Sequence, residues 1–284
     1  MTTIRGFIKS HPLLSYFVLT FAISWGGGLI VVGPGRFLGA KSGVLFLSVV
    51  LVGLAGPSVS GILMTGLVDG RTGLSEFQSR LLKWRVGARW YAIALLSAPL
   101  LITAVLLALS LISPKFLPGI LASDDKVSVL LIGIVTGLIA GIFEELGWTG
   151  FVIPRMRQRY SILSTGLILG LLWGAWHYPL FPTSGTSSKA LALAIVLVRL
   201  FAWLPPYRVL MVWVYDRTNG SLLIAILMHA SLSASMFILH PLVTGVAILT
   251  YVLVWAAALW VVVGAVALAQ GGHLSRQPPR KRVA

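Results

Sequence analysis

The sequence of 284 residues has the composition of a membrane protein, because 57% of its residues are apolar and only 10% are charged, which excludes an ordinary water-soluble domain. It contains no Cys, which excludes disulfide bonds, thiolate nucleophiles and Cys-ligated metal. The formal net charge of +15 does not indicate nucleic-acid binding, because the cations border apolar segments, where a positive layer faces anionic lipid.

Uncharged runs bounded by Lys, Arg, Gly and Pro predict eight membrane-spanning helices, since about 20 apolar residues cross the hydrocarbon core as a helix. The predicted fold is therefore an all-α, polytopic membrane helix bundle. The first run lacks a small-residue cleavage pattern, so we expect a retained anchor and not a signal peptide. The predicted spans are residues 12–33, 43–68, 89–112, 127–153, 161–181, 189–216, 220–239 and 243–270.

The distribution of Lys and Arg predicts the orientation of these helices. With eight spans, one side of the membrane holds fifteen of the 22 Lys and Arg residues and the other side holds five, while Arg199 and Arg208 lie inside the sixth span. Positive residues are retained on the cytoplasmic side. Both termini are therefore expected in the cytoplasm, with the protein in the cell membrane.

The segment "LSEFQSRLLKWRVGARW" between the second and third spans predicts a helix at the membrane surface. Its large apolar residues recur near helical spacing among cations, as in interfacial amphipathic helices. These residues are Leu74, Phe77, Leu81, Leu82 and Trp84.

Two adjacent carboxylates, Glu144 and Glu145, interrupt the fourth span in the run "GIFEELGWTGF". An acidic residue at the bilayer centre costs about 2.5 to 3.5 kcal/mol, so the pair needs a partner or a function. Neighbouring helical residues point about 100° apart, which predicts two different roles. A hydrogen-bonded pair that only fixes helix packing is the alternative.

Two His residues in later spans are candidates for the same site: His177 in "LLWGAWHYPLF" and His229 in "AILMHASLSAS". One Glu and two His from three helices can bind zinc with an open position, or can activate water and stabilise an oxyanion without metal. At about 1.5 Å per residue, His177 lies about 10 Å too deep to meet Glu144 and His229. Convergence therefore requires a tilt, a later helix start or an outward-dipping cavity. His240, beside Pro241, is expected at the outer interface.

In order and spacing, "EELGWTGFVIPRM", "WGAWHYP" and "HASLS" resemble the three motifs of the CAAX prenyl endopeptidase and bacteriocin-processing family of intramembrane proteases, also named CPBP or Abi. The family pattern is Glu-Glu-x-x-x-Arg, an aromatic residue shortly before a His, and His-x-x-x-Asn; here Trp173 fills the aromatic position before His177. The resemblance implies an eight-helix fold with a central cavity open to the cytoplasm. It also implies that Glu144 with His177 activates water, and that His229 with its i+4 partner holds the oxyanion.

Two positions depart from the family pattern: Thr149 stands where the family has Arg, and Ser233 stands where it has Asn. Ser233 is on the same helix face as His229 and can still donate a hydrogen bond. Thr149 removes the local cation beside Glu145. A bound divalent metal, a proton shared by the two carboxylates, or an Arg from another helix can replace that cation.

Arg199 is the expected replacement for the missing cation. On one continuous helix, Arg199 and Arg208 are nine residues apart and point to opposite faces, so only one of them can face the site. Arg208 follows the break at Pro205-Pro206 and is expected to snorkel toward the membrane surface.

Together with the resemblance to this family, these residues predict an intramembrane endopeptidase acting on a membrane-associated peptide or protein. Glu144 deprotonates water, His177 orients it, His229 with Ser233 stabilises the tetrahedral oxyanion, and Glu145 tunes Glu144. A metalloprotease version has Glu144, His177 and His229 as ligands, with zinc as the candidate ion. The chief alternative is a non-catalytic scaffold or immunity protein of the same fold. A transporter is a third class, but the sequence lacks the repeated halves typical of one.

Four segments describe the predicted organisation of the chain. Residues 1–74 hold the first two spans, residues 75–240 hold the CPBP-like core with the site, residues 241–270 hold the eighth span, and residues 271–284 form a basic tail without the apolar residues needed to fold. The expected partners are the lipid bilayer and a membrane-associated substrate, with no nucleic acid.

Overall fold

The computed structural model describes residues 4–37, 43–180, 188–271 and 274. Within these ranges the regular structure is entirely helical, and no strand is present. The predicted all-α fold class is therefore confirmed. Apart from residues 271 and 274, the predicted basic tail lies outside the described residues.

The described ranges contain thirteen α-helices, and two π-helical turns, Ala22–Gly26 and Trp148–Val152, connect some of them. In chain order the α-helices are α1 (Ile4–Ser10), α2 (Pro12–Phe21), α3 (Gly27–Val32), α4 (Pro34–Phe37), α5 (Gly43–Leu81), α6 (Ala88–Ser110), α7 (Lys126–Gly147), α8 (Ile153–Met156), α9 (Ile162–Trp176), α10 (Lys189–Phe201), α11 (Leu204–Arg217), α12 (Leu222–Leu239) and α13 (Val246–Ala269).

Seven helical stretches of the described chain are long and apolar enough to cross a membrane. The difference from the predicted eight is α9, because its 15 residues extend about 22 Å, less than the hydrocarbon thickness. Large apolar side chains cover outward faces, as with Val127 and Leu131, which are 67% and 59% exposed. Such faces belong against lipid, so the chain is a multi-pass membrane protein. The central cavity open to the cytoplasm stays a prediction.

Helix α5 extends beyond the predicted second span because a kink joins two helices. The kink is at Gly70, whose φ of 65° lies in the left-handed region that favours glycine. The predicted amphipathic segment after it is helical as far as Leu81. Its Phe77 is buried against Leu222 and Ile226 of α12, so this segment also packs on the bundle.

The predicted sixth span is interrupted and forms two helices. Helix α10 ends at Phe201 and α11 begins at Leu204. Pro205 and Pro206 occupy the first turn of α11, where their missing N–H groups need no partner, but they cannot continue the hydrogen bonds of α10. Helix α11 therefore takes its own course and packs against α9.

Helices α7 and α12 approach closely because α7 presents a row of glycines to α12. An added Cβ at Gly133, Gly137 or Gly141 would lie 2.5, 2.4 or 2.7 Å from atoms of α12. Small residues at four-residue spacing let helix backbones meet in a membrane. The next position in this row is Glu145, so the row directs that carboxylate toward the helix that carries His229.

Candidate active site

Glu145 lies at the centre of a buried hydrogen-bond network. Its Oε1 is 2.7 Å from His229 Nδ1, and both of its oxygens are 2.9 Å from Arg208 Nη1. The Thr149 hydroxyl donates to Oε2. Because an ionised carboxylate only accepts hydrogen bonds, Nδ1 of His229 carries the proton in this contact. Glu145 is thus held by partners from its own helix region and from two other helices.

Glu144 faces a different set of partners, as expected for its neighbour in a helix. Its Oε2 accepts a hydrogen bond from the Trp173 indole N–H at 2.6 Å. Its Oε1 lies 3.8 Å from His229 Nε2 and 4.0 Å from His177 Nε2. Atoms separated by 4 Å can bind one water molecule at about 2.8 Å from each. The structure therefore brings Glu144, His177 and His229 together around one carboxylate oxygen.

His177 is oriented by the end of α9. Its Nδ1 lies 2.8 Å from the carbonyl oxygen of Trp173. A carbonyl only accepts, so Nδ1 carries the proton and Nε2 of the neutral ring directs its lone pair toward Glu144. The side chain of His177 is 16% exposed, against 4% for Glu144 and 2% for His229. Of the three groups, His177 is the nearest to the protein surface.

Ser233 lies one helical turn after His229 on α12 and is half-buried. In the described ranges its hydroxyl has no hydrogen-bond partner, so the O–H group is available as a donor. Its role in holding an oxyanion stays a prediction.

The cation beside Glu145 is Arg208, and the prediction that Arg199 neutralises this carboxylate is wrong. The Arg208 side chain is 0% exposed, so it does not snorkel. Nη2 of Arg199 instead lies 3.5 Å from Nε2 of His240, an exposed residue at the end of α12. The sequence feature that indicates a separate direction for Arg208 is Pro205-Pro206, because these residues begin the new helix from which Arg208 projects.

Two further residues of the site were not assigned these contacts from the sequence. Thr149, interpreted only as the position where the family's Arg is missing, donates a hydrogen bond to Glu145 through its hydroxyl. Trp173, interpreted only as the motif aromatic, holds Glu144 and also contacts the Arg208 guanidinium, whose Cζ lies 4.0 Å from the ring centroid. An indole N–H at this position could have been noted as a donor for a buried carboxylate.

The donor types at Glu144, His177 and His229 are those that bind zinc in hydrolases. Their Nδ1 contacts, with a carboxylate and a carbonyl, are also those of metal-binding His residues. Within the described residues, however, no group of three His, Cys, Asp or Glu side chains is arranged to hold a metal ion. Metal assistance therefore stays a prediction, and the chemistry proposed below uses these side chains alone.

Comparison with known proteins gives two matches to this sequence. A family model described as "Rce1-like: Type II CAAX prenyl endopeptidase Rce1-like" matches residues 126–235, a segment that contains every residue of the site. A curated relative, CAAX prenyl protease 2 from Methanococcus maripaludis, is 24% identical over 231 residues, which is 78% of this chain and 82% of that protein.

Proposed function

We propose that this chain, which belongs to the CAAX prenyl endopeptidase and bacteriocin-processing (CPBP) family of intramembrane proteases, hydrolyses a peptide bond of a membrane-associated peptide or protein. The observation that carries the proposal is the meeting of Glu144, His177 and His229 around one carboxylate oxygen. Ionisable groups inside a membrane are costly and mark functional sites. A carboxylate with two imidazoles is suited to activating water.

Glu144 is the general base of the proposed reaction. The Trp173 N–H holds its Oε2 and leaves Oε1 for the attacking water. Nε2 of His177, 4.0 Å from Oε1, accepts the second hydrogen bond of that water and sets its orientation. A positioned general base contributes about 10²- to 10⁴-fold in rate.

His229 and Ser233 stabilise the oxyanion. In its cationic form, His229 donates through Nδ1 to Glu145, 2.7 Å away, and presents Nε2–H to the carbonyl oxygen of the substrate. The Ser233 hydroxyl, one turn further along α12, adds a second donor. Loss of one such donor typically costs about 10²- to 10³-fold in kcat.

The reaction is completed when the proton taken from water is transferred to the leaving amine. Glu144 takes one proton from water, and the resulting hydroxide adds to the carbonyl carbon. The tetrahedral intermediate then expels the amine as the C–N bond breaks. Protonated Glu144 donates its proton to that nitrogen, which regenerates the carboxylate.

The proposed location is the cell membrane. This proposal keeps both termini in the cytoplasm, on the side with the excess of Lys and Arg, and it requires the short helix α9 to cross the membrane as an eighth span, because seven crossings would place the termini on opposite sides. The relative is named CAAX prenyl protease 2, which makes a prenylated C-terminal peptide the first substrate class to test. Peptide leaders, bacteriocin precursors and small membrane proteins are the other classes.

A non-catalytic scaffold or immunity protein of the same fold is the second candidate. Thr149 and Ser233, at two motif positions, favour it. The argument from Thr149 is weakened because Arg208 contacts Glu145 from α11. Loss of the motif cation therefore does not leave the buried carboxylate without a counter-ion.

The test compares wild type with Glu144→Gln in proteoliposomes, using matched peptides with and without a prenyl group. A control, Glu76→Gln, makes the same change at an exposed residue. We expect Glu144→Gln to lose cleavage by about 10²-fold or more, while Glu76→Gln retains it. In cells, an uncleaved membrane-associated precursor should accumulate only with Glu144→Gln. If wild type cleaves no peptide and no precursor accumulates with Glu144→Gln, the scaffold function is favoured. If both proteins cleave equally, Glu144 is not the general base.

A further inference from the structure

We propose that Arg208 is the positioning residue of this site, which neutralises Glu145 and fixes the two side chains, His229 and Trp173, that flank Glu144. The inference rests on the proposed function because it concerns the same site. It assigns a role to a residue outside the three motifs, on a helix that contributes no other group to the site.

Arg208 and Glu145 form a fully buried ion pair. Both side chains are 0% exposed, and Nη1 of Arg208 is 2.9 Å from each carboxylate oxygen. No other Lys or Arg in the described part of the chain contacts Glu145. Removing one partner of a buried pair leaves an uncompensated charge in a low-dielectric interior. Arg208 is thus the group that allows Glu145 to stay ionised inside the bundle.

Through Glu145, Arg208 controls the orientation of His229. An ionised carboxylate accepts the Nδ1–H of His229 and so directs its Nε2 toward Glu144, 3.8 Å away. A protonated Glu145 has a donor of its own and no longer holds the Nδ1–H of His229 through a charged hydrogen bond. The cation therefore sets the direction of an imidazole that it does not touch.

Arg208 reaches Glu144 by a second path through Trp173. Its guanidinium carbon lies 4.0 Å from the centroid of the indole ring, within the range of a cation–π contact. The N–H of that same indole donates to Oε2 of Glu144 at 2.6 Å. Arg208 thus supports the surroundings of the proposed general base in two ways, through Glu145 and through Trp173.

Close packing of α9 and α11 places Arg208 at this point. An added Cβ at Gly166 would lie 2.4 Å from Cα of Val209, and one at Gly170 would lie 2.4 Å from Cα of Pro205. These contacts bracket Arg208 along α11. Gly170→Ala is therefore expected to shift Arg208, because the added methyl group would meet the backbone of α11 at Pro205.

Position 149 allows the positive charge to be relocated. Thr149 lies one turn after Glu145 and already donates to it. Because the Thr149 side chain already reaches Glu145, an Arg at this position is directed toward the same carboxylate, and Arg208→Gln vacates part of the volume that its guanidinium would fill. If charge on Glu145 is what Arg208 provides, a cation at position 149 should replace it.

The activity experiment measures kcat and KM for Arg208→Gln, Thr149→Arg/Arg208→Gln and the control Arg199→Gln. We expect Arg208→Gln to lower kcat about 100-fold with KM nearly unchanged, since it misplaces the base and the oxyanion donor. The double variant should regain at least tenfold, and Arg199→Gln should match wild type. A folded Arg208→Gln with wild-type kcat, or no recovery in a folded double variant, would overturn the proposal.

Two further measurements cover loss of folding and loss of the assay. If Arg208→Gln does not accumulate, Glu145→Gln/Arg208→Gln removes both charges together, and wild-type kcat in that variant would refute the positioning role. If wild type cleaves no peptide, the proposed function fails, and thermal unfolding still tests Arg208. Arg208→Gln should then lower the unfolding midpoint more than Arg199→Gln does, and adding Thr149→Arg should raise it again. No such recovery would overturn the charge role independently of catalysis.

Discussion

The hydrogen bond from Trp173 to Glu144 can be removed with little other change. Trp173→Phe keeps an aromatic face for the Arg208 guanidinium, now 4.0 Å from the ring centroid, but has no N–H for the carboxylate 2.6 Å away. A hydrogen bond to a charged group contributes about 1.5 to 3 kcal/mol. Without it, Oε2 of Glu144 competes with Oε1 for the water and the imidazoles. At 1.36 kcal/mol per factor of ten, kcat should fall about 10- to 150-fold.

The control for this change is Trp148→Phe. Trp148 and Trp173 are 0% and 1% exposed, so both substitutions remove a similar buried volume, but among the described residues the indole N–H of Trp148 has no hydrogen-bond partner. Peptide cleavage by purified protein in proteoliposomes gives kcat, and thermal unfolding measures the loss of packing. We expect both variants to unfold at lower temperature and only Trp173→Phe to lose kcat. An equal loss of kcat in both, or none in either, would refute the reasoning.

Three other outcomes follow from the same contacts. Gly141→Ala, whose Cβ would lie 2.7 Å from a carbonyl oxygen of α12, should lower stability by about 1 to 3 kcal/mol and reduce cleavage. Gly264→Ala, whose Cβ would meet no atom of the described residues within 4 Å, should leave both nearly unchanged in thermal unfolding and activity assays. His229→Gln should lower kcat by about 10²-fold or more, while His240→Gln at the exposed end of α12 should retain it. A zinc chelator separates the two versions of the site: unchanged cleavage supports the metal-free mechanism, and a loss that added zinc restores makes Glu144, His177 and His229 metal ligands.

The fold class could be predicted because the hydrocarbon core restricts the chain to long apolar helices. What hydropathy does not report is how those helices bend and end. Gly70 joins two helices within α5 through a φ of 65°, and α9 has only 15 residues. Both features depend on backbone geometry and packing, to which an average of hydropathy over a window is insensitive.

The meeting of Glu144, His177 and His229 was predicted from residue type, but the depth argument failed for His177. Counting residues gives depth only for parallel helices that start at one plane. The structure brings Nε2 of His177 within 4.0 Å of Glu144. The direction and packing of each helix therefore decide which side chains meet, and the rise per residue alone does not.

The choice of Arg199 over Arg208 failed for a related reason. Facing directions nine residues apart follow from 100° per residue only along one unbroken helix. The chain breaks its helix between Phe201 and Leu204. The direction of a side chain on α10 therefore does not predict the direction of a side chain on α11. A Pro-Pro pair in a membrane segment should be read as the start of a new helix whose polar residues are assigned separately.

The net charge of the proposed site stays constant during the reaction, which explains how such chemistry can proceed inside a bilayer. With His229 cationic, the negative charges of Glu144 and Glu145 are balanced by the positive charges of His229 and Arg208. In each of these contacts the nitrogen and the carboxylate oxygen are less than 4 Å apart. When Glu144 takes the proton of water, its charge disappears as the oxyanion appears beside Nε2 of His229. The buried cluster keeps the same net charge throughout, so no step adds an unpaired ion to the low-dielectric interior. Arg208 is the fixed member of this balance, which is why a change at Arg208 should affect rate more than substrate binding.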